Sequence, residues 1–305
     1  MGAYDVIIIG AGVVGSAVAR ELSRFCLDIA VLEKEPDVAC GNSGRNTGML
    51  HAGFTYTPGS LKAECAVEGN REFDQVAEEL DVPFRRTGKL VVGFDEEDRR
   101  NILKFKEIGE RNGVRGMKMI DKARLNQLDP NAGGEFAMYV PSSGILDPMQ
   151  YTIALAENAC ANGVRFLFGR RVEGIRREED GYLIHTCKGD VRTKWVINCA
   201  GMYASQISAM LGYPDYPVRG FKGEYYVLDK KAGKNMRIPI YPAPNEKGGF
   251  ATHATPTIDG NVLVGPDSYI TEGYEDYKVT REHMDGLYRD GRRMFKEMKP
   301  EYFIR

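Results

Sequence analysis

The sequence predicts an α/β fold in which a strand–turn–helix unit at the amino terminus alternates with a β-rich region. The apolar run Val6–Ile9 leads directly into a glycine-rich turn, and a helical stretch and a second apolar strand, Ile29–Leu32, follow it. An α+β segment comes next, and the α/β pattern returns over residues 145–212. Beyond residue 213, β segments precede a final helix at Thr280–Met298. These segments are Val218–Leu228, Ile238–Tyr241, Phe250–Thr255 and Val262–Val264.

The turn after the first strand has the spacing G-x-G-x-x-G, formed by Gly10, Gly12 and Gly15. The first glycine allows a tight turn, the second lets the backbone approach a pyrophosphate, and the third lets the helix pack close to the strand. The second strand ends on Glu33, where a carboxylate can accept hydrogen bonds from ribose hydroxyls. Strand, turn, helix, strand and acid in this order predict a bound dinucleotide, with its phosphates at the helix N-terminus.

Composition narrows the class of protein. The 305 residues suggest about two domains, and the net charge of −2 gives no general attraction to nucleic acid. The sequence contains no apolar run of the ~20 residues that a transmembrane helix needs, and its start lacks the features of a signal peptide. The six scattered cysteines have no metal-ligand spacing, so we expect reduced thiols, no metal site and a cytoplasmic location.

Both NAD and FAD fit the fingerprint, and three features favour FAD. The motif lies at the extreme N-terminus of the sequence. A polar, glycine-rich loop at 41–48 follows the second strand and can fold back along an extended cofactor. A later apolar strand, beginning at Trp195, ends in the small residues Cys199-Ala200-Gly201.

Further motifs resemble one family. Asn46-Thr-Gly-Met-Leu-His51-Ala-Gly53 is similar to the N-S-G-x-x-H-A-G signature of glycerol-3-phosphate and L-2-hydroxyglutarate dehydrogenases. These enzymes belong to the D-amino-acid-oxidase-like (DAO) superfamily of FAD-dependent oxidoreductases. The resemblance continues through Pro58–Ala63, Val67–Asn70, Lys222–Tyr226 and Thr255–Pro266, and it covers residues 4 to about 270.

The resemblance implies a Rossmann-like FAD/NAD(P)-binding domain of the glutathione-reductase type, interleaved with a β-rich substrate domain. The FAD domain is expected at 1–80 and 145–212, and the substrate domain at 81–144 and 213–305. Family members usually return to the FAD domain through another glycine-rich segment near the C-terminus. Because this chain ends at Arg305 without one, we expect some flavin and substrate contacts to be missing.

The motif positions and the resemblance together predict a set of cofactor-binding residues. These are Gly10, Gly12, Val13, Val14, Gly15, Glu33, Lys34, Asn42, Ser43, Arg45, Asn46, Thr47, Gly48, Met49, Leu50, Val172, Ala200 and Gly201.

Oxidation of an alcohol at a flavin needs a base for the hydroxyl proton, and histidine is the usual choice. His51, in a glycine-flanked loop, is the first candidate, although it could serve only to hold that loop. His253 is the second candidate; His185 and His283 are expected on a surface strand and on the final helix. An anionic substrate also needs fixed cations. The candidates are Arg45, Lys62, Arg219 and Lys222, of which Lys222 is favoured.

The leading prediction is an FAD-dependent dehydrogenase that oxidises the CH–OH group of a small anionic metabolite. Glycerol 3-phosphate is the first candidate substrate and L-2-hydroxyglutarate the second. The alternatives are an amino-acid or amine oxidase, and an inactive flavin-binding fragment or subunit of an electron-transfer complex. The electron acceptor stays open among oxygen, a quinone and a partner flavoprotein, as does peripheral contact with a membrane.

Overall fold

A computed structural model describes residues 3–246, 251–271 and 273–304. Within these ranges the helices are α1 Val13–Leu22, α2 Leu61–Glu79, α3 Glu96–Arg111, α4 Lys122–Leu128, α5 Pro148–Ala161, α6 Ala204–Met210, α7 Lys230–Gly233 and α8 Arg281–Met294. The strands are β1 Ala3–Ile9, β2 Ile29–Leu32, β3 Met49–Leu50, β4 Phe84–Arg85, β5 Lys89–Gly93, β6 Lys118–Asp121, β7 Phe136–Val140, β8 Gly144–Leu146, β9 Arg165–Leu167, β10 Val172–Glu178, β11 Gly181–Thr186, β12 Val191–Asn198, β13 Gly220–Lys222, β14 Tyr226–Leu228, β15 Ile240–Pro242, β16 His253–Pro256, β17 Val262–Gly265 and β18 Tyr269–Thr271. In the described part of the chain, no helix combines the length and apolarity needed to cross a bilayer.

The chain divides into two compact units. Unit one contains Met1–Asn46, Leu80–Val82 and Pro148–Gly220, and unit two contains Thr47–Glu79, Pro83–Asp147 and Phe221–Arg305. The sequence-based boundaries lay at residues 80, 145 and 213. The largest difference concerns residues 47–79, which group with unit two and not with the amino-terminal strands. The reason is that α2 supplies side chains to unit two, among them Asn70 and Val67.

Unit one is built on a six-stranded sheet with the strand order β10-β11-β12-β1-β2-β9. Strands β12, β1, β2 and β9 are parallel, with Ile8 opposite both Ile197 and Val31. One face of β1 packs Val6 and Ile8 with residues of α1 and α5, and the other packs Ile7 and Ile9 with Ile207 of α6. Because both faces are covered, β1 has the continuous apolar sequence typical of a buried parallel strand.

Unit two contains a seven-stranded sheet with the order β14-β17-β16-β15-β5-β7-β6. Successive side chains of a strand point to opposite faces. In β5, Leu90 and Val92 therefore enter one core with residues of α8, while Val91 enters another core with Ile102 and Phe105 of α3. Lys89 and Val91 are two residues apart, so their side chains lie on the same face of the sheet.

Aspartates begin two helices of unit two, as their sequence positions suggest. The Asp95 side chain accepts a hydrogen bond from the Asp98 backbone N–H at 2.9 Å, and Asp121 accepts one from Arg124 at 2.8 Å. Such caps satisfy N–H groups that have no partner within the helix.

Three predicted elements differ from the structure. The strand expected over Val218–Leu228 is divided into β13 and β14, and between them Gly223 passes so close to Pro266 that a Cβ would lie 2.5 Å from the Pro266 Cβ. The final helix ends at Met294, after which Phe295 turns into the core beside Ala132. In the strand expected over Phe250–Thr255, Phe250 lies outside the described residues, and the described strand begins at His253.

Candidate functional site

The glycine turn between β1 and α1 has little room for side chains. Gly10 has φ +104°, and a Cβ there would lie 2.5 Å from the carbonyl oxygen of Cys199. A Cβ on Gly15 would lie 1.9 Å from the carbonyl oxygen of Gly10, and one on Gly12 would lie 3.0 Å from the Ser43 hydroxyl. Glycine is therefore required at position 10 for the turn to approach Cys199, and at position 15 for α1 to approach the Gly10 carbonyl group.

The groups around this turn suit a phosphate and a ribose. The first turn of α1, all of it described, has no acidic residue, and its N-cap Gly12 offers no side chain. The positive end of the helix dipole thus stays available to an anion. Ser43 accepts a hydrogen bond from the Val13 N–H at 2.9 Å, while Glu33 accepts from the N–H groups of Ala11 and Glu35 at 2.7 and 2.9 Å. The remaining lone pairs of this carboxylate can accept from ribose hydroxyls.

The other predicted cofactor residues have varied surroundings. In unit one, Val14 is 61% exposed, whereas Val172 is packed in the core and offers a ligand only its backbone. Lys34 pairs with Glu35, and its ammonium lies 4.9 Å from the centre of the Tyr203 ring. Arg45 donates to the carbonyl oxygen of Gly41 at 3.2 Å, which ties it to its own loop.

Further members of the set adopt loop or turn conformations. Asn46 donates to the carbonyl oxygens of Asn42 and Ser43 at 3.1 and 2.9 Å. Ala200 donates its N–H to the Asn198 side chain at 3.2 Å, and Gly201 has φ +54°. In unit two, Gly48 has φ +63° and accepts from the Leu146 N–H at 2.8 Å. Thr47 precedes it, and Met49 and Leu50 form β3. Their roles in cofactor binding stay predictions.

The loop that carries His51 follows β3 and is anchored by asparagines. Asn70 of α2, 8% exposed, donates to the carbonyl oxygens of His51 and Ser142 at 2.9 and 3.0 Å. Asn112 donates to the carbonyl oxygens of Gly53 and Tyr56 at 3.0 and 2.8 Å. Both ends of the loop are therefore fixed, while the His51 side chain itself is exposed.

The sheet of unit two places three more polar side chains beside His51. Tyr241 lies opposite Val91 of β5, and the pairing of Ile240 with Ala254 places Tyr241 opposite His253. The Tyr241 and His253 rings stack at 3.9 Å between centroids, and the Lys89 Nζ lies 3.5 Å from the His51 Nδ1. We call His51, Lys89, Tyr241 and His253 the histidine–lysine cluster.

Burial governs the charges in this cluster. It lowers the pKa of Lys89, which is 0% exposed, to about 7. Burial, opposed by a hydrogen bond to Ala251 and reinforced by Lys89, lowers the pKa of His253 to about 3. His51 as a residue is exposed. Even so, desolvation of its ring by the surrounding protein atoms, together with the charges of Lys89 and His253, holds the pKa of His51 well below the usual value. Both histidines are therefore neutral at pH 7.

The tautomer of His253 follows from its partner. A carbonyl oxygen only accepts, so the Nδ1, 3.3 Å from the Ala251 carbonyl oxygen, carries the proton. The Nε2 is then an acceptor, and it is buried without a hydrogen-bond partner in the described part of the chain. A buried acceptor of this kind is costly unless a ligand supplies a donor.

Lys222 is already engaged by other residues. Its ammonium lies 2.9 Å from the Asp276 carboxylate and 3.6 Å from that of Glu224, and it also donates to the Lys278 carbonyl oxygen. Although desolvation acts in the opposite direction, Asp276 and Tyr269 raise the pKa of Lys222. An anionic substrate would have to displace Asp276, so these contacts do not favour the predicted substrate-binding role.

The other predicted cations and histidines lie in different settings. Arg219 and Lys62 are exposed, and Lys62 lies over the Tyr56 ring. His185 lies on β11 and pairs with Asp190, and its side chain is 43% exposed, in agreement with the expected surface strand position. His283 lies on α8, as predicted, where it stacks on Tyr269 and pairs with Asp267.

Sequence reasoning did not single out Lys89 or Tyr241. The available signal for Lys89 is its position directly before the apolar run Leu90–Val92, two residues from Val91 and so on the same face of a strand. A lysine at this position is buried when both faces of the strand are covered by other elements. Tyr241 gave no comparable signal, because tyrosine is common in strands.

Comparison with known proteins identifies the class. The family model for FAD-dependent oxidoreductases (DAO) matches residues 5–304, and the chain belongs to this family. A glycerol 3-phosphate dehydrogenase of Caloramator mitchellensis is 38% identical over 297 residues, which are 97% of this chain and 62% of that protein. A mitochondrial L-2-hydroxyglutarate dehydrogenase of Caenorhabditis elegans is 33% identical over 289 residues, 91% of this chain and 67% of that protein.

A solved structure agrees with this assignment. The dithionite-reduced L-alpha-glycerophosphate oxidase of Mycoplasma pneumoniae, with FAD bound, matches with a TM-score of 0.94 and 26% identity over all of this chain and 82% of that chain. The predicted family, fold class and FAD cofactor are confirmed. This chain spans 62% of the length of the Caloramator relative.

The residues of unit one fit the adenosine and phosphate groups of FAD. The glycine turn and the N-terminus of α1, whose fully described first turn has no acidic residue, suit the phosphates, and the remaining lone pairs of Glu33 suit the ribose.

Proposed function

We propose that the protein dehydrogenates the CH–OH group of a small anionic metabolite, with glycerol 3-phosphate as the first candidate. The observation that carries this proposal is that His51 is neutral and exposed, with the Lys89 Nζ 3.5 Å from its Nδ1. FAD, when bound, accepts the hydride. The glycine turn, the N-terminus of α1 and Glu33 hold its phosphate and ribose groups.

In this proposal His51 is the base. A neutral imidazole can take the hydroxyl proton as the hydride leaves the carbon, and the low pKa of His51 keeps the ring unprotonated beforehand. The Asn70 hydrogen bond to the His51 carbonyl oxygen fixes the backbone from which the ring extends. His253 offers a second acceptor, because its buried Nε2 has no hydrogen-bond partner among the described residues.

The choice of substrate is supported by similarity. The 38% identity with a protein named glycerol 3-phosphate dehydrogenase exceeds the 33% identity with one named L-2-hydroxyglutarate dehydrogenase. The second name supports L-2-hydroxyglutarate as the second candidate. Both compounds carry a secondary alcohol next to an anionic group, so the same base serves either one.

A substrate panel tests this proposal. The purified protein with bound FAD is mixed anaerobically with glycerol 3-phosphate, L-2-hydroxyglutarate or glycine, and the flavin absorbance band is followed by stopped flow. We expect glycerol 3-phosphate to bleach the flavin fastest. Faster bleaching by L-2-hydroxyglutarate would transfer the proposal to the second substrate. Bleaching by glycine alone would establish an amine oxidase, and no bleaching by any compound would refute the dehydrogenase.

A further inference from the structure

Lys89 occupies an unusual place for a lysine. Its side chain has no contact with water, and its Nζ lies 4.4 Å from the centre of the Tyr241 ring and 4.7 Å from that of Phe54. The Nζ also lies 3.5 Å from the His51 Nδ1, at the outer limit of a hydrogen bond. Because Lys89 is buried within this packing, its contact with His51 is the route to the reacting groups that we consider.

We propose that Lys89 is a positioning residue that selects the tautomer of His51 and receives the proton that His51 takes from the substrate. The inference rests on the proposed function only in using His51 as the base. As the substrate hydroxyl gives its proton to the His51 Nε2, the Nδ1–H bond breaks and that proton passes to the Lys89 amine. The imidazole ends neutral, and Lys89 ends as an ammonium.

The surroundings of Lys89 permit this exchange. Among the described residues, the titratable groups near it include His51 from the loop after β3, Tyr241 from β15 and His253 from β16, and Tyr225 acts on Tyr241. Burial raises the pKa of Tyr241, and burial together with Asp267 raises that of Tyr225 to about 12, so both are neutral near pH 7. From α3, the same core receives the apolar Ile102 and Phe105. A proton on Lys89 returns to water through His51, whose ring is exposed.

The direction of the pH dependence follows from hydrogen-bond roles. An ammonium only donates, so protonated Lys89 donates to the His51 Nδ1 and leaves the ring proton on Nε2. In that state Nε2 cannot act as a base. A neutral amine accepts from Nδ1–H and frees the Nε2 lone pair. Because the pKa of Lys89 is about 7, the rate of flavin reduction is expected to rise with pH through about 7.

Nitrogen NMR tests the tautomer directly. The wild-type protein with bound FAD is labelled with ¹⁵N-histidine, and His51→Asn identifies the His51 signals among the four histidines. Titration from pH 5 to pH 9 should shift the His51 proton from Nε2 to Nδ1 with a midpoint near 7. A single tautomer across this range would overturn the inference. The measurement needs no turnover, so its failure is distinct from failure of the proposed function.

Substitutions provide the second test. Lys89→Met keeps most of the side-chain volume without the amine, and Lys89→Arg keeps a permanent charge. Both are expected to slow flavin reduction and to remove its rise through pH 7, Lys89→Arg because it holds the inactive tautomer. Lys104→Met, which removes an exposed lysine beside the Phe105 ring, is the control. A wild-type pH profile in Lys89→Met would contradict the inference, whereas a purely structural lysine would change stability alone.

Discussion

Replacing His51 by alanine is expected to slow flavin reduction by the substrate by about 10²–10⁴-fold, the range for loss of a general base. His51 is the neutral base of the proposed reaction, and its position depends on Asn70 and Lys89. Because His51 is an exposed residue, its truncation to alanine should spare the fold. The single-turnover rate under anaerobic conditions is the measurement, with the flavin spectrum confirming that FAD is still bound.

The matched control is His185→Ala, which removes an exposed histidine from β11 and breaks only a surface pair with Asp190. Surface ion pairs contribute little to stability, so this variant should reduce its flavin at the wild-type rate. If His51→Ala also kept the wild-type rate, the base would have to be another residue. His253 would then be the first candidate, because its Nε2 is an unsatisfied acceptor among the described residues.

Gly15→Ala is expected to be the most damaging single-methyl change in unit one. The new Cβ would lie 1.9 Å from the carbonyl oxygen of Gly10, and neither atom belongs to a side chain that can rotate away. The start of α1 must shift, at a cost of about 3 kcal/mol, near the upper end for overpacking. FAD affinity should fall as well, because the same shift moves the N–H groups at the helix N-terminus. Urea unfolding and flavin-fluorescence titration measure the two effects.

Gly69→Ala is a control with the opposite expected sign. Gly69 lies inside α2, and a Cβ there meets no atom within 4 Å. Alanine in a helix interior is favoured over glycine by roughly 0.5–1 kcal/mol, so this variant should be slightly more stable and bind FAD normally. Equal stability losses in both variants would show that the close contact at Gly15 is not the cause.

The amino-terminal unit was predictable because its signals are local. Gly10, Gly12 and Gly15 lie within six residues, and Glu33 follows at the end of the next strand. Spacing alone therefore indicates a turn that needs positive φ and a helix that packs against it. Helix caps such as Asp95 are equally local, and the sequence places them at the correct residue.

The histidine–lysine cluster could not be predicted in this way. Its members come from the loop after β3 and from β5, β15 and β16, and their meeting depends on the parallel pairing of Tyr241 with Val91. A shift of one residue in that register would move Tyr241 to the other face. Likewise, Lys222 and Asp276 lie 54 positions apart in the sequence, and no sequence motif indicates that they meet.

Anaerobic reduction of the bound FAD by glycerol 3-phosphate, protiated or deuterated at C2, tests the central claim most directly. If the hydride leaves the carbon that bears the hydroxyl, both compounds will bleach the flavin, and the deuterated one will do so more slowly. Flavin that stays oxidised with both compounds at saturating concentration would contradict the claim.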